Sequence, residues 1–254
     1  MKKVTAFIGT QSRRNTYYAV RQFEKSLKRQ GEINFEYVFL SDYHLDLCLG
    51  CRLCFDKGEE FCPLKDDRDL LLEKMERSDG IILASPNYAF HITARMKNLL
   101  DRTAFTNHRP RFFGKVCTAV VTQGMMGGGS LVKYLCSAGE NMGFRASKGC
   151  CVNTLEPMTA RAREALSRKI EKTSARFYRE LVRSTPAPSF LRLAIFRMSR
   201  TRIKALDDSY KDYRYYSERG WFESGYYHPT SLGPVKKLVG GLADFAGRQM
   251  AKRS

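Results

Sequence analysis

The chain has 254 residues, 43% of them hydrophobic, enough for one domain of about 180 residues plus an extension. No run approaches the roughly 18 consecutive apolar residues of a transmembrane helix, so a helical span is not expected. Lys and Arg number 44 against 26 Asp and Glu, a formal charge of +18. With no nucleic-acid recognition motif beside it, that charge argues against sequence-specific nucleic-acid binding. It is compatible with a plain basic surface, with anionic cofactors or with an acidic lipid leaflet.

In chain order, M-K-K-V-T-A-F-I-G-T starts basic, but its apolar run is too short for a secretory signal. Residues 4–8 read instead as a first strand ending at Gly9, and residues 17–29 follow with helical periodicity. Residues 33–40 form a second apolar run. Asp66 or Asp67 is expected to be the N-cap of a helix beginning L-L-L-E-K-M. Residues 80–84 are a continuous apolar strand stopped by Ser85-Pro86, residues 92–100 are helical, and residues 116–122 make a fourth strand. A helix over 129–141, a fifth strand over 144–153 and a long basic helix over 159–182 complete the series. Alternating helices and buried-type strands predict a parallel sheet covered on both faces. Five units suit a flavodoxin-like doubly wound α/β sheet, order 2-1-3-4-5, over residues 1–184.

Between the second strand and the following helix lies C-L-G-C-R-L-C-F-D-K-G-E-E-F-C-P, loop 48–62. Cys48, Cys51 and Cys54 at x2 spacing, with Cys62 after seven further residues, could offer four thiolates to one compact [4Fe–4S] cluster. Zinc ordinarily uses two separated C-x2-C knuckles, and no second knuckle is present; zinc, or thiols without a metal, stay open as alternatives. Cys117 falls in a strand, Cys136 in a helix, and Cys150 and Cys151 are adjacent, so no disulfide framework is suggested. Eight cysteines without a signal segment predict a reducing, cytoplasmic setting.

Ligands on such sheets sit outside the carboxyl ends of the strands, which singles out three loops. The first, G-T-Q-S-R-R-N-T, combines the hydroxyls of Thr10, Ser12 and Thr16, the Asn15 amide and the Arg13 and Arg14 guanidiniums with a helix start. That set suits one terminal phosphate, as in FMN, better than a pyrophosphate; an ordinary N-cap with turn residues reads equally well. The second, S-P-N-Y-A-F-H, supplies flat apolar faces from Tyr88 and Phe90, and His91 is not taken as a base. The third, T-Q-G-M-M-G-G-G-S, has four glycines in six residues, which permits close approach to a ligand or simply flexibility.

With these motifs and G-I-I-L-A-S-P-N-Y…M-K-N-L-L-D-R, residues 1–180 resemble the iron–sulfur flavoproteins, a branch of the NADPH-dependent FMN reductase-like group. The resemblance implies FMN at the strand ends, with Thr10, Ser12, Arg13, Asn15 and Thr16 on its phosphate. Pro86, Asn87, Tyr88, Ala89, Phe90, His91, Thr122, Gln123 and Gly124 would flank its ring. It also implies a [4Fe–4S] cluster on Cys48, Cys51, Cys54 and Cys62, and a homo-oligomer. The expected activity is a flavin-dependent oxidoreductase passing electrons from NAD(P)H or a reduced carrier to a quinone, flavin or other acceptor. A non-enzymatic electron carrier or redox sensor with the same cofactors, or a zinc-stabilised binding protein, are the competing functions. No general acid–base pair is evident, and hydride transfer to a flavin needs none. The first loop is one residue shorter than the common form of the group, and the Cys54–Cys62 spacer is long for it.

Residues 185–254 form a separate basic extension, with thirteen Lys/Arg against six Asp/Glu. It holds the single tryptophan, Trp221, and ends in a helix over 234–253. Val235, Leu238, Val239, Leu242, Phe245, Ala246 and Met250 share one face of that helix. Such a face is expected to pack on the first domain or a second subunit; peripheral membrane contact is the alternative.

Overall fold

The computed structural model describes residues 1–184 and 187–252, so the first two residues of the expected 185–254 extension and the last of the expected 234–253 helix lie outside the described residues. Strands β1 (Lys2–Ile8), β2 (Ile33–Phe39), β3 (Gly80–Pro86) and β4 (Val116–Gln123) are parallel, and β5 (Arg145–Ala146) and β6 (Cys150–Asn153) both run parallel to β4. The order is β2-β1-β3-β4-β5, the flavodoxin-like arrangement the alternation implies. Helices α1 (Asn15–Lys28), α2 (Leu53–Asp56), α3 (Arg68–Glu76), α4 (Ala94–Arg102), α5 (Gly128–Asn141) and α6 (Ala160–Val182) follow in chain order. After them come α7 (Phe190–Ile203), α8 (Lys211–Glu218) and α9 (Pro234–Ala251). Among the described residues no helix is long and apolar enough to cross a membrane.

The chain divides into two compact units, Met1–Leu49 with Leu64–Arg183, and Gly50–Pro63 with Ser184–Ser254. In the first, Val4, Ala6 and Ile8 join Val20, Phe23 and Leu27 of α1 and Ile170 and Phe177 of α6 in one buried cluster. The alternating residues Phe7, Ile81 and Leu83 are as deeply buried, so both sheet faces are covered, as strands without polar alternation require. The expected fifth strand is broken in two. A Cβ at Gly149 would lie 2.3 Å from the Ala119 carbonyl oxygen and 2.9 Å from its nitrogen. The chain therefore jogs against β4 at a position only glycine fits, and Ser147 N–H donates to the Cys117 carbonyl at 2.8 Å just before the jog.

In the second unit α2 packs on α8, and Lys211 Nζ lies 3.1 Å from Glu60 Oε1. Cys51, Cys54 and Cys62 thus go with the C-terminal extension rather than with a 1–184 domain, through contacts between residues some 150 positions apart that no local pattern announces. An aromatic cluster forms the interior: Phe196 and Tyr227 rings are 4.3 Å apart, Trp221 and Tyr227 4.8 Å, Tyr216 and Trp221 5.0 Å. Trp221 Nε1 donates to the Tyr227 carbonyl at 3.1 Å.

Helix α9 begins with Pro234 at its first turn, as expected, but it does not bury the expected face within the chain. Val235, Leu238, Leu242 and Phe245 are exposed, while Gly240, Ala243, Asp244 and Gly247 are buried. The small side lets α9 lie close along α7: a Cβ at Gly247 would be 3.0 Å from the Met198 carbonyl oxygen. Asp244 accepts from Arg197 Nε at 2.9 Å, Arg200 Nη2 at 2.9 Å and Thr201 Oγ1 at 2.9 Å. Burial alone would raise its carboxyl; those donors hold it below the usual carboxylate range.

Candidate functional site

A cavity of about 510 Å³ opens at the carboxyl ends of β1, β3, β4 and β6. Thr10, Ser12 and Arg14 line it from the first loop, with Asn15 and Thr16 from the first turn of α1. Arg14 occupies the N-cap position, no side chain caps the helix, and no acid stands in its first turn. The backbone N–H groups there, the helix dipole and one guanidinium make an anion seat. Asn15 and Thr16 also brace the wall. Asn15 Nδ2 donates to the Thr154 carbonyl at 2.9 Å, and the hydroxyls of Thr16 and Thr122 are 2.7 Å apart and buried. The Arg13 guanidinium lies 4.7 Å over the Phe39 ring and 3.9 Å from Asp42, and Arg13 is not among the lining residues.

Pro86, Asn87 and Tyr88 line the cavity from the second loop; Ala89, Phe90 and His91 do not. Tyr88 and His91 exchange backbone hydrogen bonds of 3.0 and 2.9 Å around a tight turn. Its two central residues are left-handed, with φ of 49° at Ala89 and 62° at Phe90, where glycine or asparagine is usual. Each costs about 1–2 kcal/mol, and the turn is held from the third loop. Asn87 Nδ2 donates to the Met126 carbonyl at 2.8 Å, and Phe90 lies against Gly127, where a Cβ would be 3.1 Å from its ring. The Asn87 Oδ1 is buried with no hydrogen-bond partner, an acceptor beside the cavity. The His91 ring lies 5.7 Å from that of Tyr134.

Thr122, Gln123 and Gly124 complete the wall. The Gln123 amide is spent on the loop: Nε2 donates to the Met125 carbonyl at 3.0 Å and Asn153 Oδ1 at 2.8 Å, while Oε1 accepts from Gly128 N–H at 2.7 Å. Thr154, Leu155 and Glu156 also line the cavity and escaped the sequence reading. They follow β6, and the order 2-1-3-4-5 could have pointed to that fourth strand-end loop. Tyr88, Phe90, Met125, Met126 and Leu155 are all exposed on these loops, beside the exposed polar residues Gln11, Ser12, Arg14 and Glu156.

None of the eight cysteines is in a disulfide, and among the described residues no three His, Cys, Asp or Glu side chains are gathered as a metal-binding group. The donor chemistry of Cys48, Cys51, Cys54 and Cys62 suits an iron–sulfur cluster. Cys48 belongs to the first unit and the other three to the second.

The two ends of this segment on the sheet unit are fixed by α4. Asn98 Nδ2 donates to the Leu45 and Asp46 carbonyls at 3.0 Å each, and its Oδ1 accepts from Cys48 N–H at 3.3 Å. Arg102 donates to the Asp46 carbonyl at 2.8 Å and forms a two-pronged pair with Asp66, both side chains buried. Asp66 also accepts from Asp46 N–H at 2.9 Å and Arg68 N–H at 3.1 Å. Burial would raise its carboxyl; Arg102 and the two N–H groups hold it low. Asp67 stands at the N-cap of α3 without capping it, accepting instead from His44 N–H at 2.7 Å.

The remaining cysteines are placed as inert thiols. Burial pushes Cys150 up to about 11 and raises Cys136 and Cys151, and Cys117 is fully buried. Cys48 and Cys51 are exposed. Mass-mapped maleimide labelling of the metal-free chain at neutral pH should therefore modify Cys48 and Cys51 first and leave Cys117 and Cys150 unmodified until urea unfolds it. Early modification of Cys150 would contradict this placement.

Residues 2–153 match the sequence profile of the NADPH-dependent FMN reductase family. An iron–sulfur flavoprotein of Archaeoglobus fulgidus is 35% identical over 131 residues, 50% of this chain and 62% of that protein. One from Methanocaldococcus jannaschii is 40% identical over 89 residues, 35% of this chain and 45% of that protein. The chain thus spans less than two thirds of the length of these relatives. Among solved structures, RosB bound to 8-demethyl-8-formylriboflavin-5′-phosphate aligns over 92% of both chains with a TM-score of 0.57 at 12% identity. The NAD(P)H:quinone oxidoreductase of Methanothermobacter marburgensis aligns over 68% of this chain and 95% of its own, TM-score 0.52 at 16% identity. These two likenesses concern the fold alone. By the profile match over residues 2–153, more than half of its length, the chain belongs to the NADPH-dependent FMN reductase family.

Proposed function

We propose that the protein is an FMN-dependent oxidoreductase that moves electrons from NAD(P)H or a reduced carrier to a quinone, flavin or other acceptor. A [4Fe–4S] cluster on Cys48, Cys51, Cys54 and Cys62 would be its second redox centre. The observation that carries the reading is the anion seat at the uncapped start of α1, opening into a cavity whose wall carries the unsatisfied Asn87 Oδ1. Bound FMN would supply hydride acceptance and one-electron release, chemistry no side chain here provides.

The chain's own part is binding and orientation. The hydroxyls of Thr10 and Ser12, the Arg14 guanidinium and the α1 N–H groups suit a terminal phosphate dianion. Asn87 Oδ1 can accept from a ring N–H, the Tyr88 ring offers a flat face, and the backbone at Gly124 can approach a planar ligand closely. The interlocked Asn87, Gln123 and Phe90 contacts keep this wall in one shape before a ligand arrives, which lowers the ordering cost of binding. The exposed side chains of Tyr88, Met125, Met126 and Leu155 suit a flat hydrophobic acceptor. The iron–sulfur flavoprotein relatives support the cluster, and the thiol donor set fits it. Homo-oligomerisation and a cytoplasmic location belong to the same reading.

The test is purification without air, with the absorption spectrum recorded and iron and flavin quantified. One FMN and four iron per chain are expected, and Cys51→Ala should lose the broad visible absorbance while retaining FMN. Full iron content in Cys51→Ala would overturn the cluster assignment, and protein unable to bind FMN would overturn the whole reading. Bleaching of the bound flavin by NADPH or NADH in stopped flow distinguishes an enzyme from a carrier.

A further inference from the structure

One surface of the second unit is used by neither the cavity nor the cysteine segment. Val235, Leu238, Leu242 and Phe245 recur along α9 at i, i+3, i+7 and i+10, a single stripe, and are 56–66% exposed. On α7, which α9 follows in the same direction, Phe190 and Leu191 are 51% and 69% exposed. Lys236 Nζ sits 5.8 Å over the Phe190 ring, joining the two helices at that end. At 3.6 residues per turn, Lys237, Arg248 and Lys252 fall along one edge of the stripe.

The charge pattern says what such a face fits. Helices α7 and α9 together carry seven Lys/Arg and one acid, Asp244. Asp244 is buried and consumed by Arg197 and Arg200, so neither helix shows a carboxylate on its surface. We propose that this face lies in the interface of a bilayer containing anionic lipid, with the apolar stripe at the acyl boundary and the cations among the headgroups. A second copy of the same face would bring cations opposite cations with no surface acid between them. An anionic leaflet satisfies both the stripe and its basic edge. Neither helix can cross a membrane, so the contact is peripheral.

The test is sedimentation of the full chain with vesicles of phosphatidylcholine alone or mixed with equal phosphatidylglycerol. Binding to the mixed vesicles only, weakened by salt, is expected. Leu238→Asp with Leu242→Asp should lower the partition coefficient at least about tenfold. Lys237→Glu, Arg248→Glu and Lys252→Glu together should lower it about a hundredfold. All five positions are exposed, so melting temperatures should stay within a few degrees of the parent. No binding by the parent, equal binding to phosphatidylcholine alone, or either variant binding as the parent does overturns the proposal. So does a result in which the leucine variant halves the light-scattering mass and leaves vesicle binding unchanged, which would make the face a contact between copies.

Discussion

Alanine at both Ser12 and Arg14 should weaken FMN binding by about 2–4 kcal/mol, the loss of two charge-assisted hydrogen bonds to a dianion. Riboflavin, which lacks the phosphate, should bind the parent and the variant within about threefold of each other, since only the phosphate end is altered. The expectation rests on the seat itself. Both residues line the cavity beside an uncapped helix start with no acid in its first turn. Neither side chain makes a contact whose loss would collapse the wall, which Thr16, Thr122, Asn15 and Thr154 hold by their own bonds. Arg13→Ala is the control. Its guanidinium is occupied with Phe39 and Asp42 and is two-thirds exposed, so its removal should change FMN affinity by no more than about threefold. Titration by flavin fluorescence quenching measures all of these. A larger loss from Arg13→Ala than from Arg14→Ala would reassign the phosphate ligand.

The two neighbouring arginines show where the sequence stops being legible: Arg14 lines the cavity and Arg13 does not. Arg13 and Arg14 both precede the first helical residue, Asn15, so helical periodicity does not say which of them faces the seat. Composition cannot say which, because the choice depends on Phe39 and Asp42 lying beside Arg13. The sheet order and three strand-end loops were readable because buried parallel strands announce themselves by continuous apolar runs. The break in the fifth strand was not, since only the approach of Ala119 backbone makes Gly149 obligatory. On α9 the apolar periodicity is present, but the side buried within the chain is the opposite one. The side that packs is chosen by Gly240, Ala243 and Gly247, which let α7 come close, and by the pairing of Asp244 with two arginines. The M-K-N-L-L-D-R stretch carried part of the resemblance without a physical role, and Asp66 only that of a candidate helix cap. Their role emerges only when Asp66, Asn98 and Arg102 meet around the cysteine segment.

Arg102→Ala should destabilise the sheet unit by about 3–5 kcal/mol, the usual cost of leaving one member of a buried ion pair alone. Arg102 and Asp66 side chains are 2% and 0% exposed, so solvent cannot replace the lost partner. The same substitution removes a donor from the Asp46 carbonyl, two residues before Cys48, and loosens the chain on both sides of the cysteine segment. Urea unfolding reads the stability. Iron retained after anaerobic reconstitution reads the positioning, and it should fall further in Arg102→Ala than in an equally destabilising core variant such as Leu99→Ala. Arg102→Met with Asp66→Leu separates the two effects. Two apolar residues of similar size remove the stranded charge and should recover much of the stability. The bonds from Arg102 to the Asp46 carbonyl and from Asp46 N–H to Asp66 stay absent, so iron retention should remain low. Because Asp66 titrates below its ordinary value, the pair contributes in full above the unfolded carboxyl value, about pH 4. Its contribution disappears as pH falls through the lower folded value, so parent and Arg102→Ala should differ most at neutral pH and converge in strong acid. A parent urea midpoint in Arg102→Ala would show the pair to be worth little. Full iron retention in the double variant would show that the cysteine segment does not depend on it.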